Sequence, residues 1–475
     1  MGRRKKKHNK FYNYMIFLVL IVSIITIGLI YFVNILPINY FAVFVSIIVF
    51  MNLIIIWMLK TKGAFKRFFG CIIAILFVAI EILGINYELN TLDFFKQFGF
   101  NNYKTEKYNV AVLMDSEYEK LKDLNKKDIA HLDELNRDGL KSFLKDIKNE
   151  IKYESVVGED ILQISNKLID EKVDAIILED AEIDMLKEDN YDIYENLRII
   201  YSKKIEKKIK DITKNVDITK KPFNIYISGI DTYGSITKVS RSDVNIIATV
   251  NPVDNKILLT TIPRDYYVKL HSYKEYDKLT HAGIYGIEES VNTIEDLLDT
   301  NINYYLKVNF TSVIKIVDAL GGVEVNSNYA FKSQDGYYYE KGLNKLDGKR
   351  ALSFVRERKA FSGGDRTRGE NQQLVLSAII NKAMSPKMII KYNDLLNAVD
   401  DNFITNIDNK QITNFIKNEI KKSKSWKIES ISLDGENSYD YTYSSKRSKL
   451  YVMRPNEKSI SNAKEKINEV LNNVE

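Results

Sequence analysis

Three apolar runs in the first hundred residues set the main limits on how this chain can fold. They cover residues 11–36, 38–59 and 68–85, so each is 18 to 26 residues long. A helix of about 20 apolar residues crosses a hydrocarbon core of about 30 Å, and each run therefore predicts a transmembrane helix. A cleaved signal peptide would have one such run followed by a small-residue cleavage site, and the sequence meets neither condition.

The charges that flank these runs predict their orientation. Cations precede the first run and separate the second from the third, whereas the turn around Pro37 carries no charge. Because positive flanks stay in the cytoplasm, we expect a multi-pass membrane protein with a cytoplasmic N-terminus and an extracellular C-terminal part. Glu81 is the one acid within the runs; it could line a helix contact or a functional path, and we favour a protonated carboxyl near the outer half of the span. The flanking cations are Arg3, Arg4, Lys5, Lys6, Lys7 and Lys10, then Lys60, Lys62, Lys66 and Arg67.

Net charge and cysteine content restrict what the outer part can do. Residues 1–100 hold eleven Lys or Arg and three acids, a balance of +8, and the whole chain carries +6, which leaves −2 for the rest. A near-neutral outer part excludes nucleic acid as a partner, since that binding requires a broad basic face. Cys71 is the only cysteine and lies in the third run, so the outer part must fold on its hydrophobic core without disulfides.

Residues 101–215 predict an extracellular α/β accessory domain. Apolar runs at 109–114 and 173–178 predict buried strands, and helix-period spacing at 132–151 and 161–169 predicts helices between them. This segment has no glycine-rich phosphate loop, histidine cluster or nucleophile motif.

Three further features of this segment carry expectations. Asp115 and Asp180 follow strand ends, and we favour solvated loop acids over ligands at a sheet edge. The lysine-rich stretch 203–221 predicts a helix and a linker to the next domain.

Arginines and aspartates recur at the strand ends of the second predicted domain, residues 216–475. Predicted strands at 223–228, 244–250 and 256–262 are followed or preceded by short motifs that combine the two residue types. Arginine suits forked contact with phosphate oxygens, and paired aspartates suit a hard divalent cation. A single Arg-Asp neighbour is more often a surface ion pair, but recurrence at successive strand ends favours a diphosphate-metal site. These motifs are Asp231, Arg241-Ser242-Asp243, Pro263-Arg264-Asp265, Arg356-Glu357-Arg358 and Asp365-Arg366-Thr367-Arg368 with Gln372.

At these residues the sequence closely resembles the LytR-CpsA-Psr family of cell-wall ligases. The resemblance is specific over residues 222–384 and weaker to the end of the chain. It implies an α/β domain with a central mixed sheet flanked by helices, and three spans with an accessory domain resemble the capsule-associated branch of the family. The matching stretches, in order, are 224–231, 241–243, 261–265, 278–282, 318–325, 352–358 and 363–372.

The resemblance also implies a function. Such an enzyme transfers an anionic or capsular glycopolymer from a polyprenyl diphosphate carrier to peptidoglycan of a Gram-positive wall, at the outer face of the membrane. Its cofactor is Mg²⁺, and its partners are the carrier-linked glycopolymer, the peptidoglycan acceptor, the membrane and, as a further expectation, capsule synthesis proteins.

Site residues follow from the motifs one by one. Asp231 and Asp243 match the family's metal-binding aspartates. If 356–358 is extended, Arg356 and Arg358 point to one face. If 368–372 is helical, Arg368 and Gln372 stack one turn apart, near a helix N-terminus. Both pairs can then face one site. The residues that match the diphosphate-binding groups are Arg241, Arg264, Arg356, Arg358, Arg368 and Gln372.

Three residues near the site have more than one possible role. Arg264, Asp265 and Asp365 are candidate catalytic residues, although we favour the two aspartates as carboxylates that orient arginines over either as general base. His281 is expected to make a structural hydrogen bond, because no second histidine is near. Ser240 departs from the glycine common in the family and could alter the backbone beside Asp243.

Two alternative functions remain. A membrane-bound transcriptional regulator would require a cytoplasmic nucleic-acid surface, yet only about ten residues precede the first span. A non-catalytic polyprenyl-phosphate-binding regulator of capsule or wall polymer assembly would use the same arginines, and turnover with Mg²⁺ would distinguish it from the enzyme.

Overall fold

The computed structural model describes residues 2–34, 36–97, 103–134, 137–232, 235–385, 403–422 and 425–472. The chain divides into two compact units. One contains residues 1–99 with 384–400 and 408–425, and the other contains 100–383, 401–407 and 426–475. The predicted boundary at residue 100 lies outside the described residues.

The first unit contains the three predicted transmembrane helices. Segments Lys10–Val33, Ile38–Lys60 and Ala64–Asn90 are long and apolar enough to cross a membrane, which confirms the three spans by length and composition. One polar residue from each helix joins a buried cluster, in which Asn52 donates to Ser23 Oγ at 2.8 Å and Ser23 donates to Glu81 Oε1 at 2.7 Å. Glu81 thus has an interhelical partner. The helices are α1 (Gly2–Val33), α2 (Ile38–Lys60) and α3 (Ala64–Gln97).

The accessory segment forms a five-stranded sheet flanked by helices, as predicted. The strands lie in the order β3-β2-β4-β1-β5 and are mixed in direction. The predicted helix at 161–169 is confirmed, and Asp160 caps it by accepting a hydrogen bond from Gln163 N at 2.7 Å. The described elements are β1 (Tyr103–Leu113), β2 (Asp128–Leu132), α4 (Asp138–Glu150), β3 (Glu154–Gly158), α5 (Ile161–Ile169), β4 (Ala175–Glu179), α6 (Asp180–Asp189), α7 (Tyr191–Tyr194) and β5 (Leu197–Lys208).

The prediction of a helix from residue 203 was wrong, because β5 continues to Lys208. From Lys203 onwards half-buried and exposed residues alternate, which is the period of a strand. β5 pairs only with β1 and is the edge of the sheet, where charged side chains discourage further pairing. Lys203 lies 2.8 Å from Asp146 on α4. Its lysines therefore belong to an edge strand.

The motif-bearing domain is built on a six-stranded mixed sheet, which confirms the predicted fold class. Its order is β16-β11-β6-β7-β8-β17, with β6, β7 and β8 antiparallel and the pairs β11–β6 and β17–β8 parallel. The predicted strands at 223–228, 244–250 and 256–262 correspond to β6, β7 and β8. The elements of the first part of this domain, in chain order, are β6 (Phe223–Ile230), β7 (Val244–Asn251), β8 (Lys256–Thr261), β9 (Tyr267–Lys269), β10 (Tyr276–Lys278), α8 (Leu279–Ala282), α9 (Ile287–Leu298), β11 (Tyr304–Asn309) and α10 (Phe310–Ala319).

The later elements complete this domain, except for one helix that belongs to the first unit. That helix is α13, and its Lys417 donates to Asn34 Oδ1 at 2.7 Å, at the end of α1. The elements are β12 (Val323–Ser327), β13 (Phe331–Lys332), β14 (Tyr338–Tyr339), β15 (Gly342–Leu346), α11 (Gly348–Arg356), α12 (Asp365–Ala383), β16 (Phe403–Thr405), α13 (Asn409–Lys422), β17 (Lys427–Ser432), β18 (Gly435–Thr442), β19 (Ser445–Pro455) and α14 (Glu457–Asn472).

The accessory and motif-bearing domains are joined by backbone hydrogen bonds. Thr105 N donates to Thr237 O at 2.9 Å, and Val239 N donates to Thr105 O at 3.2 Å. Lys238 lies 3.4 Å from Asp180, and the expectation that Asp180 is a solvated loop acid was wrong, because Asp180 begins helix α6. Asp180 therefore serves as an ion-pair partner between the two domains.

Candidate functional site

The predicted site residues cluster because three consecutive strands are antiparallel. Asp231 follows the last residue of β6, Asp243 precedes the first residue of β7, and Arg264 follows the end of β8. In this register Gly229 pairs with Val244 and Ile246 with Thr261. All three chain positions therefore fall at the same end of the three strands, which forms one edge of the sheet.

Asp231 and Asp243 are electrostatically coupled. Partial burial raises the pKa of Asp231, and the Asp243 carboxylate raises it further against the opposing arginines. Burial also acts to raise the pKa of Asp243, but the charges of Arg264, Arg241 and Arg368 outweigh it and hold that pKa low. Two carboxylates that repel each other are a suitable pair for a divalent cation.

The donor set fits Mg²⁺ in the form that the ion prefers in phosphate-transfer sites. Mg²⁺ is usually held by one or two carboxylates, with substrate phosphates and water completing the coordination. Among the described residues no group of three or more His, Cys, Asp and Glu side chains could hold a metal. Asp231 and Asp243 are two carboxylates, the number that Mg²⁺ takes when phosphate oxygens and water supply its other ligands.

Arg264 is surrounded by carboxylates. Its Nη1 donates to Asp243 Oδ1 at 3.0 Å and its Nη2 donates to Glu188 Oε1 at 3.0 Å. Its Nε lies 3.6 Å from Asp265 and 3.8 Å from Asp365. The side chain is only 10% exposed, and these acids raise the pKa of Arg264 although burial acts to lower it. The guanidinium is thus held in one orientation by partners on several sides.

Arg368 and Gln372 approach the same site from α12. Gly364, at φ +50°, makes the turn before this helix in a backbone conformation that favours glycine, and a Cβ on Gly363 would lie 2.5 Å from Thr367 Oγ1. Arg368 Nη2 lies 2.8 Å from Asp365 Oδ1 and 3.4 Å from the carbonyl oxygen of Asp243. The first turn of a helix thus places an arginine beside the cavity.

A cavity opens where these side chains meet. It is lined by residues from β7, β8, α12 and the end of β17. The predicted residues that line it are Asp243, Arg264, Asp365, Arg368 and Gln372.

Arg356 and Arg358 are arranged differently from the prediction. Arg356 is the last residue of helix α11 and not part of a strand, because Asp347 caps that helix and its apolar face packs inward. The Arg356 guanidinium lies over the Phe310 ring at 4.2 Å from its centroid and 3.7 Å from Asp231. Arg358 is exposed, and within the described part of the chain no ion pair joins it to Asp231 or Asp243. The structure thus brings Arg356 beside Asp231.

Asp265 and His281 each lie beside a charged side chain. Asp265 lies near both Arg264 and Lys278, and burial raises its pKa against those two charges. His281 Nδ1 lies 2.7 Å from Asp277 Oδ1, which confirms the expected structural hydrogen bond. Asp265 and Asp365 both lie beside arginines, the arrangement required of orienting carboxylates.

Two contributors were missed by sequence reasoning. Thr280 donates to Asp243 Oδ1 at 3.1 Å and lies within a matched stretch, so its position gave a usable signal. Glu188 comes from α6 of the accessory domain and contacts both Arg241 and Arg264. It is one acid among many in an α/β segment without motifs, and no local pattern marked it.

Comparison with known proteins identifies relatives of this chain. TagU of Enterococcus faecalis, a polyisoprenyl-teichoic acid–peptidoglycan teichoic acid transferase, is 40% identical over 191 residues, which cover 40% of this chain and 62% of TagU. TagU of Bacillus subtilis is 40% identical over 202 residues, 42% of this chain and 65% of that relative. The chain thus spans just under two thirds of the length of these two relatives.

A solved structure and a family match complete the comparison. The crystal structure of B. subtilis TagU is 32% identical, with a TM-score of 0.42, over 53% of this chain and 97% of that one. Residues 191–468, more than half of the chain, match the LytR_cpsA_psr family. This chain is therefore a member of the LytR_cpsA_psr family.

Proposed function

We propose that this protein transfers an anionic or capsular glycopolymer from a polyprenyl diphosphate carrier to peptidoglycan, in a Mg²⁺-dependent reaction at the outer face of the membrane. The observation that carries the proposal is that Arg264 contacts the Asp243 carboxylate at 3.0 Å and Arg368 contacts the Asp243 carbonyl oxygen at 3.4 Å, at the sheet edge that Asp231 shares. Cations arranged beside a carboxylate pair are suited to a diphosphate with its metal ion.

The reaction requires positioning more than covalent help from the protein. An acceptor hydroxyl oxygen of peptidoglycan forms a bond to the glycopolymer-linked phosphorus. The bridging P–O bond of the diphosphate breaks, and polyprenyl monophosphate leaves with the bonding electron pair. The hydroxyl proton passes to a base or to water. Negative charge grows on the departing oxygens, and guanidinium groups fixed before the reaction stabilise that charge.

Each residue has a defined part in this scheme. Arg264 and Arg368 bind diphosphate oxygens, and Asp265 and Asp365 orient them through contacts of 3.6 Å and 2.8 Å. Gln372 lines the same cavity and can donate to an oxygen that the arginines leave free. Asp231 and Asp243 would hold Mg²⁺, which when bound neutralises phosphate charge.

The substrate class and the location rest on two supports. The relatives TagU are named as transferases of teichoic acid to peptidoglycan, and a TagT structure is titled as bound to LIIa-WTA, at 30% identity and a TM-score of 0.43 over 54% of this chain and 94% of that one. For orientation, Lys417 on α13 contacts Asn34 between the first two spans. Residues 409–422 then lie on the same side of the membrane as the turn between the first two spans. By the positive-inside rule that turn is extracellular.

A transfer assay tests the proposal. Full-length protein in lipid nanodiscs receives a polyprenyl-diphosphate-linked glycopolymer and peptidoglycan, with Mg²⁺ or with a chelator, and the release of polyprenyl monophosphate is measured. We expect release that requires both acceptor and Mg²⁺. Tight binding of the carrier lipid without release would favour the non-catalytic binding function instead.

A further inference from the structure

A carboxylate of the accessory domain occupies the arginine cluster. Glu188, near the C-terminal end of α6, places one oxygen 3.0 Å from Arg264 Nη2 and the other in contact with Arg241 Nη1. Two oxygens of one anion thus bridge two guanidiniums, which is the contact that phosphate oxygens would make there. Asp189, the next residue, lies 3.6 Å from Lys278, so the end of α6 is held at two places.

Two donors of Arg264 are already engaged by carboxylates. Nη1 donates to Asp243, and Nη2 donates to Glu188. A diphosphate that bridged Arg241 Nη1 and Arg264 Nη2 would take the position that Glu188 occupies. Glu188 also adds a negative charge where the substrate's negative charge would lie.

Glu188 is the partner best placed to leave. Its side chain is 34% exposed, whereas those of Asp243 and Asp265 are 9% and 11% exposed. Asp243 also accepts from Thr280 and is the proposed metal ligand. The backbone bonds at Thr105 hold the two domains together, so the release that we consider is a rotation of the Glu188 side chain away from the arginines.

We propose that Glu188 is a built-in competitor that neutralises Arg241 and Arg264 in the resting protein and is displaced when a polyprenyl diphosphate binds. The proposal rests on the proposed function, because it takes these arginines as the diphosphate site. The accessory domain then sets the affinity of the site, and anything that withdraws the end of α6 increases that affinity. Burial would raise the pKa of Glu188, but Arg241 and Arg264 outweigh burial and lower it to about 2, so the competitor stays charged at neutral pH.

Binding of farnesyl diphosphate, a short prenyl diphosphate, tests this inference. Full-length wild type, Glu188→Gln and Glu195→Gln are titrated with it in detergent micelles by calorimetry, in the presence of Mg²⁺. Glu195 is an exposed acid of the same domain, so its variant controls for the lost charge alone. We expect Glu188→Gln to lower Kd at least about tenfold, which is about 1.4 kcal/mol, and Glu195→Gln to leave it unchanged. Glu188→Ala should act in the same direction, and thermal melting confirms that each variant is folded.

The outcomes separate the two proposals. If wild type binds farnesyl diphosphate and the folded Glu188 variants bind it equally or more weakly, Glu188 is a structural or organising partner of the arginines and the competitor is refuted. If none of the folded proteins binds the diphosphate, the site assignment itself fails, and the competitor fails with it.

Discussion

Replacing Arg264 with lysine keeps the positive charge of the site and removes its geometry. The guanidinium donates from two separate nitrogens, to Asp243 and to Glu188, each at 3.0 Å. A lysine ammonium is a single point of charge and cannot reproduce two such contacts in one plane. Arg264→Lys therefore tests whether the site requires a planar group with two donor nitrogens or only a positive charge.

The size of the effect follows from the hydrogen bonds that a lysine cannot make. A hydrogen bond to a charged group contributes about 1.5–3 kcal/mol, and we expect lysine to keep one of the two. If the second prong acts on the departing diphosphate oxygens, its removal lowers the transfer rate roughly 10- to 150-fold. Arg368, which is 2.8 Å from Asp365, should behave alike, so Arg368→Lys is expected to lower the rate at least about tenfold.

The assay is single-turnover release of polyprenyl monophosphate, with binding of the carrier lipid measured in parallel. Arg447→Lys is the matched control, since Arg447 is 53% exposed and lies outside the cavity. Lys203→Ala and Lys345→Ala should also behave like wild type. A fall in rate and binding together would mean that the arginines bind ground and transition states alike, whereas a fall in rate alone places them on the leaving diphosphate. Near wild-type transfer by both folded lysine variants would refute the site assignment.

Three other predictions concern metal, pH and topology. Asp231→Asn and Asp243→Asn should each abolish transfer, as should a chelator. Only Asp243→Asn should lower Tm, because Asp243 accepts from Arg264 and Thr280, whereas the Asp231 side chain is 46% exposed. Full activity in either variant removes that residue from the site. Although burial raises the pKa of Glu188, its two arginines lower it from 4.5 to about 2, so its ion pairs stabilise the fold above about pH 4.5 and lose that contribution as pH falls toward 2. The Tm difference between wild type and Glu188→Gln should shrink over that interval, and a difference independent of pH would contradict the assignment. Protease added to wall-stripped cells should cleave beyond about residue 100 and spare an N-terminal tag, and a protected C-terminus would overturn the orientation.

The parts of the fold that sequence predicted are those governed by local patterns. The transmembrane helices follow from apolar length, and β6, β7 and β8 from short apolar runs bounded by motifs. The edge strand β5 was misread because lysines occupy both of its faces, and its pairing with β1 is a contact with a strand about a hundred residues away. Tertiary pairing, which a window of sequence does not contain, decided that segment.

The same division applies to the site. Asp231, Asp243 and Arg264 could be assigned to one site from sequence because each lies near the end of a predicted strand, and the antiparallel pairing of β6, β7 and β8 brings those ends together. Arg356 could be assigned to the site but not to its helix end, because residues 356–358 were expected to be extended. Whether a side chain near a helix end reaches a site depends on where the helix stops, which is the least predictable feature of a helix.

The charges of the site also imply that metal and diphosphate depend on each other. In the protein alone, Asp243 serves as counter-ion to Arg264 at 3.0 Å, and it repels Asp231. On the proposed function, Asp231 and Asp243 would hold the cation, whose charge would relieve that repulsion and would weaken the hold of Asp243 on Arg264, leaving a donor for phosphate. A diphosphate in turn supplies oxygens that complete the coordination of the cation. Each ligand therefore lowers the free energy of binding the other, and by linkage the two coupling energies must be equal.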